Sequence, residues 1–121
     1  MKLVENLLLA AELDIDLLRK NRDLGDDPEI PRDIDFILYA KDEARAQLIC
    51  DFVSDNRYGK PSYEKIELAD GSIKWRLLIV IMAPPTDHVL CTLSAFMACL
   101  AKLYDLEYDG WGCVIKKSPS S

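Results

Sequence analysis

Residues 73–82 read IKWRLLIVIM, and this stretch decides the fold. Aromatic and branched apolar side chains occupy both alternating sets of positions, which is typical of a β-strand that lies inside a sheet. Pro84 and Pro85 end the strand, because proline has no backbone N–H to donate to a strand ladder. The sequence therefore predicts a central strand that needs a cover on each of its two faces.

A hairpin precedes this strand and a long helix follows it. Thr86 is a predicted N-cap, and apolar side chains recur at helical spacing over residues 89–104. Asp70-Gly71 is typical of a hairpin turn. Residues 63–68, before the turn, form a weakly amphipathic strand that we expect at a sheet edge.

The sequence upstream of the hairpin supplies one more strand and two more helices. Alternation over residues 34–39 indicates a strand, and Asp42 is a predicted N-cap for the helix after it. Residues 3–18 carry a wide apolar stripe at helical spacing. We predict an N-terminal helix that ends near Asp23 or the next residue, with Gly25 as its C-terminal cap.

A short last strand over residues 106–115 completes the order βαββαβ behind the N-terminal helix. This is the ferredoxin-like pattern, an antiparallel sheet with two helices on one face. We predict one α+β domain over residues 1–121, made of an N-terminal helix (1–24), a ferredoxin-like core (33–115) and a flexible tail (116–121). We expect the added helix to cover part of the other sheet face.

Charge is concentrated in the first third of the chain. Residues 1–35 contain five basic and ten acidic side chains, and this difference of −5 is most of the formal net charge of −6. Phosphate backbones require clustered Lys and Arg, so the composition counts against direct nucleic-acid binding. The acidic surface either attracts a basic protein segment or merely keeps the surface solvated.

The sequence predicts a cytoplasmic protein without a membrane span. Its apolar runs are far shorter than the roughly 20 residues that cross a bilayer, and its first residues lack a signal-peptide pattern. The cysteines at positions 50, 91, 99 and 113 form no CxxC pair. We expect them to be buried and reduced, and we predict no metal site and no cofactor.

The residues do not assemble into a catalytic pattern that we recognise. His88 is the single histidine, so a site built on several imidazoles is excluded. Cys91 follows His88 by three residues in the predicted helix, so the two side chains can lie on the same helix face. A Cys91-dependent enzyme that uses His88 as its base is therefore one hypothesis, besides the two binding hypotheses below. No phosphate-binding glycine loop and no RNA-binding aromatic stretch occurs. We therefore predict binding without catalysis.

The most distinctive stretch, residues 103–112, reads LYDLEYDGWG. Glycine within a strand permits a bulge or the close approach of another backbone. The aromatic side chains either pack over the sheet edge, with the second aspartate fixing a turn, or bind a partner. We single out Tyr108, Asp109 and Trp111 as candidate partner contacts, with Gly110 and Gly112 as structural residues.

Residues 100–112, which end in Tyr108-Asp109-Gly110-Trp111-Gly112, resemble the closing helix-to-strand segment of the RraB family. The mark of that family is a YDGWG-type sequence after a long helix, and the Gly-Asp-Asp-Pro loop at residues 25–28 is similar in layout. The resemblance implies a ferredoxin-like fold and a non-enzymatic regulator that binds the C-terminal part of ribonuclease E and inhibits RNA cleavage. Enterobacterial members carry an acidic C-terminal extension, whereas this sequence ends in KKSPSS.

We therefore predict a protein-binding regulator of ribonuclease E, with Asp26, Asp27 and Glu29 as further electrostatic contacts. The alternative is a ferredoxin-like module that binds a small ligand or pairs with itself and has no ribonuclease partner. The central strand motivates this alternative, since the N-terminal helix, a second copy or a ligand has to cover its second face. A homodimer therefore stays open.

Overall fold

The computed structural model describes residues 2–118 and shows an α+β protein with three helices and one four-stranded sheet. The strands lie in the order β2-β3-β1-β4, and all neighbours are antiparallel. No helix in the described part of the chain is long and apolar enough to cross a bilayer. The elements are α1 (Lys2–Asp23), β1 (Arg32–Ala40), α2 (Glu43–Asp55), β2 (Lys60–Glu67), β3 (Ile73–Ala83), α3 (Asp87–Tyr104) and β4 (Glu107–Gly112).

Side-chain caps place the helix ends where the sequence predicts them. The carboxylate of Asp42 accepts a hydrogen bond from the backbone N–H of Arg45 at 2.8 Å. The hydroxyl of Thr86 accepts one from the backbone N–H of Val89 at 3.4 Å. Gly25 follows α1 at a φ of 97°, which glycine adopts without steric cost.

The hairpin and the edge position of β2 are confirmed. The amide of Leu68 donates to the carbonyl of Ser72 at 2.8 Å, and the carboxylate of Asp70 accepts from the Ser72 amide at 2.9 Å. These bonds close the turn between β2 and β3. β2 has a single neighbour in the sheet, whereas β3 lies between β2 and β1.

One hydrophobic core lies between the sheet and its helices. Successive side chains of a strand point to opposite faces, so only alternate residues of β1 and β3 face α2 and α3. Burial of each large apolar side chain contributes about 1.5–3 kcal/mol. The fully buried members include Ile34, Phe36, Leu38, Leu77 and Ile79 from the sheet, Ile49 and Val53 from α2, and Leu90 and Met97 from α3.

The N-terminal helix lies on the same side of the sheet as the other two helices. α1 packs against α3, and Leu18 of α1 joins the core. The expectation that α1 covers the opposite face is therefore wrong. The reason is that α3 is apolar on more than one side, so it packs on the sheet and on α1 at the same time.

The opposite sheet face is covered by no helix within residues 2–118. Leu78, Val80 and Met82 of β3 point there, and Met82 is 64% exposed. Ile37 of β1 lies beside Leu78 on the same face. We name the surface around these four residues the open sheet face. β3 is thus central, as predicted, but residues 2–118 cover only one of its two faces.

β4 is shorter than the predicted strand and contains a bulge. Its register against β1 shifts between Ile37 and Leu38, and Gly110 adopts a φ of 111°. The chain beyond β4 runs beside the loop after α1. There Lys116 donates its backbone N–H to Asp26, and its carbonyl accepts from the Asp27 amide, both at 2.8 Å. Residues 119–121 of the predicted tail lie outside the described residues.

Candidate functional site

A groove runs between α1 and the edge strand β4. Leu9, Leu13 and Leu17 line it from α1, while Tyr108 and Trp111 line it from β4. It consists of two depressions of about 320 and 280 Å³, which share Ala10, Leu13 and Tyr108. We name this surface the α1–β4 groove.

The bulge explains how two aromatic residues of β4 reach this groove. Residues three apart in a regular strand point to opposite faces. Here Tyr108 pairs with Leu38 and Trp111 pairs with Phe36, and both of these β1 residues belong to the buried face. The extra residue at the bulge restores the phase, so both aromatic side chains point toward the helices. Gly110, with its positive φ, makes this possible.

A hydrogen bond joins Trp111 to the N-terminal helix. Its indole Nε1–H donates to Oδ1 of Asp14 at 2.8 Å, and Asp14 is only 7% exposed. The buried carboxylate thereby gains a donor that offsets part of its lost hydration. This bond fixes α1 relative to the sheet edge.

Tyr108 is anchored to α3 beneath the groove. Its hydroxyl oxygen lies 2.9 Å from Oγ of Ser94, which is fully buried. Burial raises the pKa of the Tyr108 hydroxyl well above its ordinary value; the Ser94 bond lowers this pKa and the Asp14 charge raises it further. Tyr108 is therefore a neutral, partly buried anchor. Its hydroxyl is a weaker acid than that of an ordinary tyrosine.

The groove has an apolar wall and an acidic rim. Leu9 and Leu13 are 57% and 60% exposed. Exposed Glu12 follows Leu9 by three residues and exposed Asp16 follows Leu13 by three residues, so each acid neighbours one of these leucines on the helix surface. Exposed Asp109 adds a third carboxylate from the bulge in β4. Lys102 contributes a basic group at one end of the groove.

Asp26 lies in the interior and not on the surface. It pairs with the guanidinium of Arg32, whose side chain is 1% exposed. Arg32 also donates to the carbonyls of Ile30, Asp27 and Val114, at 3.1, 2.6 and 2.9 Å. This network fixes the loop after α1 against the chain beyond β4. Asp26 is thus engaged within the protein and offers no free carboxylate to a partner.

The other two loop candidates are closer to solvent. The carboxylate of Asp27 accepts a hydrogen bond from the Glu29 amide at 3.1 Å, and Glu29 is exposed. The loop lies beyond the Gly112 end of β4, next to Lys116. Glu29 therefore extends the negative charge past the end of β4.

Sequence reasoning did not identify Asp14, Leu9 or Leu13 as site residues. Asp14 interrupts the apolar stripe four residues before buried Leu18, and a carboxylate in such a position usually has a partner. Leu9 and Leu13 could have been found from the apolar stripe over residues 3–18, because this stripe is wider than packing against a single helix requires.

The environment of Cys91 is unlike that of an activated thiol. Burial raises the pKa of the thiol, and the charges of Asp14 and Asp87 raise it further. A reactive cysteine needs a lowered pKa and a nearby positive charge. All four cysteines are free, and of these Cys50 is buried while the others are partly exposed. The described residues contain no cluster of His, Cys, Asp and Glu arranged to hold a metal.

Fold and groove together define a small α+β protein with an apolar, acid-rimmed groove built on a bulged edge strand. The model of the RraB family, described as Regulator of ribonuclease activity B, matches residues 11–113. The chain belongs to this family, so the predicted family is confirmed. The description gives the family a regulatory role in ribonuclease activity. No curated protein matches the chain.

Proposed function

We propose that this protein regulates ribonuclease activity by binding a protein partner, the C-terminal region of ribonuclease E, in the α1–β4 groove. Family membership supports the regulatory role. The observation that carries the binding hypothesis is the groove itself, because Tyr108, Asp109, Gly110 and Trp111, the residues that resemble the RraB motif, build one of its walls. The function requires no turnover by this chain.

The groove fits a segment that is both apolar and basic. Leu9 and Leu13 offer apolar area, and its removal from water by a partner is favourable by about 25 cal/mol per Å² before the entropic cost of association is subtracted. Glu12, Asp16 and Asp109 on the rim favour lysine and arginine on the partner, and complementary charge accelerates encounter. Asp27 and Glu29 extend the attraction beyond the end of β4, whereas Asp26 acts only within the protein.

We also propose that the fold is ferredoxin-like and that the protein acts in the cytoplasm. After α1 the elements follow the order βαββαβ, and β1 lies between β3 and β4 with antiparallel neighbours. Four free cysteines support a reducing compartment.

A calorimetric titration with the C-terminal region of ribonuclease E from the same organism tests this proposal. We expect saturable binding that weakens as salt rises, because the rim charges are exposed. Leu13→Glu in the groove should weaken binding at least about tenfold, which corresponds to about 1.4 kcal/mol. Leu103→Glu is the matched control, since Leu103 is an exposed leucine of α3 outside the groove. Equal loss in both variants, or no binding at low salt, refutes the proposal.

Self-association is a second candidate function, and the open sheet face is the observation that favours it. Leu78, Val80 and Ile37 are only partly covered, although they lie in the centre of the sheet. Such a surface on a small protein is typical of an interface.

A further inference from the structure

We propose that the open sheet face is the interface of a two-fold symmetric dimer of this chain. This inference concerns a different surface from the α1–β4 groove and is independent of ribonuclease binding. Ile37 and Leu78 are opposite each other in the β1–β3 ladder and form its apolar centre. Val80 and Met82 extend the apolar surface along β3.

One flank of the face is flat enough for a second sheet. Gly110 lies beside Ile37, and Gly112 lies beside Asp35, so β4 presents bare backbone there. A Cβ atom added at either glycine would meet no other atom within 4 Å. On the other flank, the small side chain of Ser62 lies beside Leu78. Side chains from a second sheet can therefore lie over these positions at the usual sheet separation of about 10 Å.

The charges of the face are complementary to themselves. Asp33 and Asp35 lie on β1 toward one end of the Ile37–Leu78 row, and Lys74 and Arg76 lie on β3 toward the other end. In an isologous interface, if residue i of one copy contacts residue j of the other, then residue j of the first copy contacts residue i of the second. We place the two-fold axis between the two sheets, parallel to the Ile37–Leu78 row and perpendicular to the strands. Rotation about this axis reverses the strand direction, so the acidic end of one copy lies over the basic end of the other.

The charges on the edge strand β2 are also complementary under this two-fold axis. Lys60 pairs with Val80, Ser62 with Leu78 and Glu64 with Arg76, so Lys60 and Glu64 lie on either side of the central row. The same axis therefore places Lys60 of one copy near Glu64 of the other. Within one copy Arg76 pairs with Glu64 and Lys74 pairs with Glu107, so a second copy shares these bases, whereas Asp33 and Asp35 form no ion pair within residues 2–118. Second-copy lysines and arginines supply the partners that these two aspartates lack.

The size of the face predicts a weak dimer. Four strands about 4.8 Å apart and about six residues of 3.3 Å rise give a flat area of about 400 Å². Because side chains make the accessible surface larger than this flat area, the accessible surface buried on both copies together is close to about 1,200 Å². This value is the lower limit for specific interfaces. Dimerisation should therefore depend on protein concentration in the micromolar range.

Sedimentation velocity of the full chain, from about 5 μM to about 500 μM, is the test. The expected result is a monomer–dimer equilibrium in which Leu78→Glu raises the dissociation constant at least about 30-fold. Leu103→Glu should leave the equilibrium unchanged. A monomer at the highest concentration, or a dimer that tolerates Leu78→Glu, overturns the proposal.

A charge reversal provides a second test that does not rely on the apolar centre. In a chain that carries Glu64→Gln, which removes the partner of Arg76 within one copy, Asp35→Lys should weaken the dimer and the additional change Arg76→Glu should restore it, because the two charges meet across the interface. Failure of the second change to restore pairing, with both variants folded by circular dichroism, contradicts the geometry. Leu78→Glu should retain binding to the ribonuclease E region, which separates this proposal from the groove.

Discussion

The bond between Trp111 and Asp14 gives the sharpest test of how the groove is assembled. Trp111→Phe keeps an aromatic ring against the helices but removes the indole N–H that Asp14 accepts. Asp14 is only 7% exposed in the native structure, so its carboxylate is largely shielded from water. It would lose the one hydrogen-bond donor that the described residues provide for it.

The expected loss of stability follows from that burial. Leaving a buried acceptor without its donor costs about 1–3 kcal/mol, and the upper end applies to charged groups. Replacing indole by phenyl removes further apolar contact of about 1 kcal/mol. We therefore expect the free energy of unfolding to fall by about 2–4 kcal/mol, which is a large part of the 5–15 kcal/mol that stabilises a typical domain.

Urea denaturation followed by circular dichroism measures this loss, and a double-mutant cycle with Asp14→Leu isolates the bond. Trp75→Phe is the matched control, because Trp75 packs edge-on against Tyr63 without a carboxylate partner. Its cost should stay below about 1.5 kcal/mol. A coupling energy below about 0.5 kcal/mol between positions 14 and 111 would refute the hydrogen bond as the link between α1 and β4.

Three further predictions concern the supports of the groove. Burial raises the pKa of Tyr108, so the native state keeps it neutral while the unfolded chain ionises near pH 10. The free energy of unfolding should therefore fall as pH rises above about 10, and less so in Tyr108→Phe, as measured by urea denaturation at each pH. Gly110→Ala should cost about 1–3 kcal/mol because of its positive φ, whereas Gly112→Ala should cost well below that in the same assay. Arg32→Met leaves the Asp26 charge buried and unpaired and should cost about 3–5 kcal/mol, and stability indistinguishable from the unmodified chain would show that the pair is solvated.

Local chemistry made the ends of the elements predictable. Asp42 and Thr86 cap the helices they precede, and Asp70-Gly71 forms the turn, because each acts on backbone groups a few residues away. The apolar pattern over residues 73–82 predicted a strand inside the sheet, because apolar side chains at consecutive positions require cover on both faces or on both edges of the strand. These features depend on the chain nearby and not on distant parts of the fold.

Long-range contacts made the rest unpredictable. An apolar stripe shows that α1 packs on something, but it does not distinguish α3 from the open sheet face. Asp26 belongs to an acidic loop for which the sequence predicts exposure to solvent. In the structure its carboxylate is buried, because it pairs with the buried guanidinium of Arg32. The bulge was foreseeable from Gly110, whereas the groove it helps to form depends on the position of α1.

The central claim is that the partner binds in the α1–β4 groove, and nuclear magnetic resonance of the labelled protein during titration with the ribonuclease E region measures this directly. The indole N–H of Trp111 lies in the groove and that of Trp75 lies near Tyr63, so one spectrum reports on both places. We expect the Trp111 signal and the amides of residues 9–17 and 107–112 to shift, while the Trp75 signal stays in place. Shifts confined to β2 and β3, or an unchanged Trp111 signal at saturation, would contradict the claim.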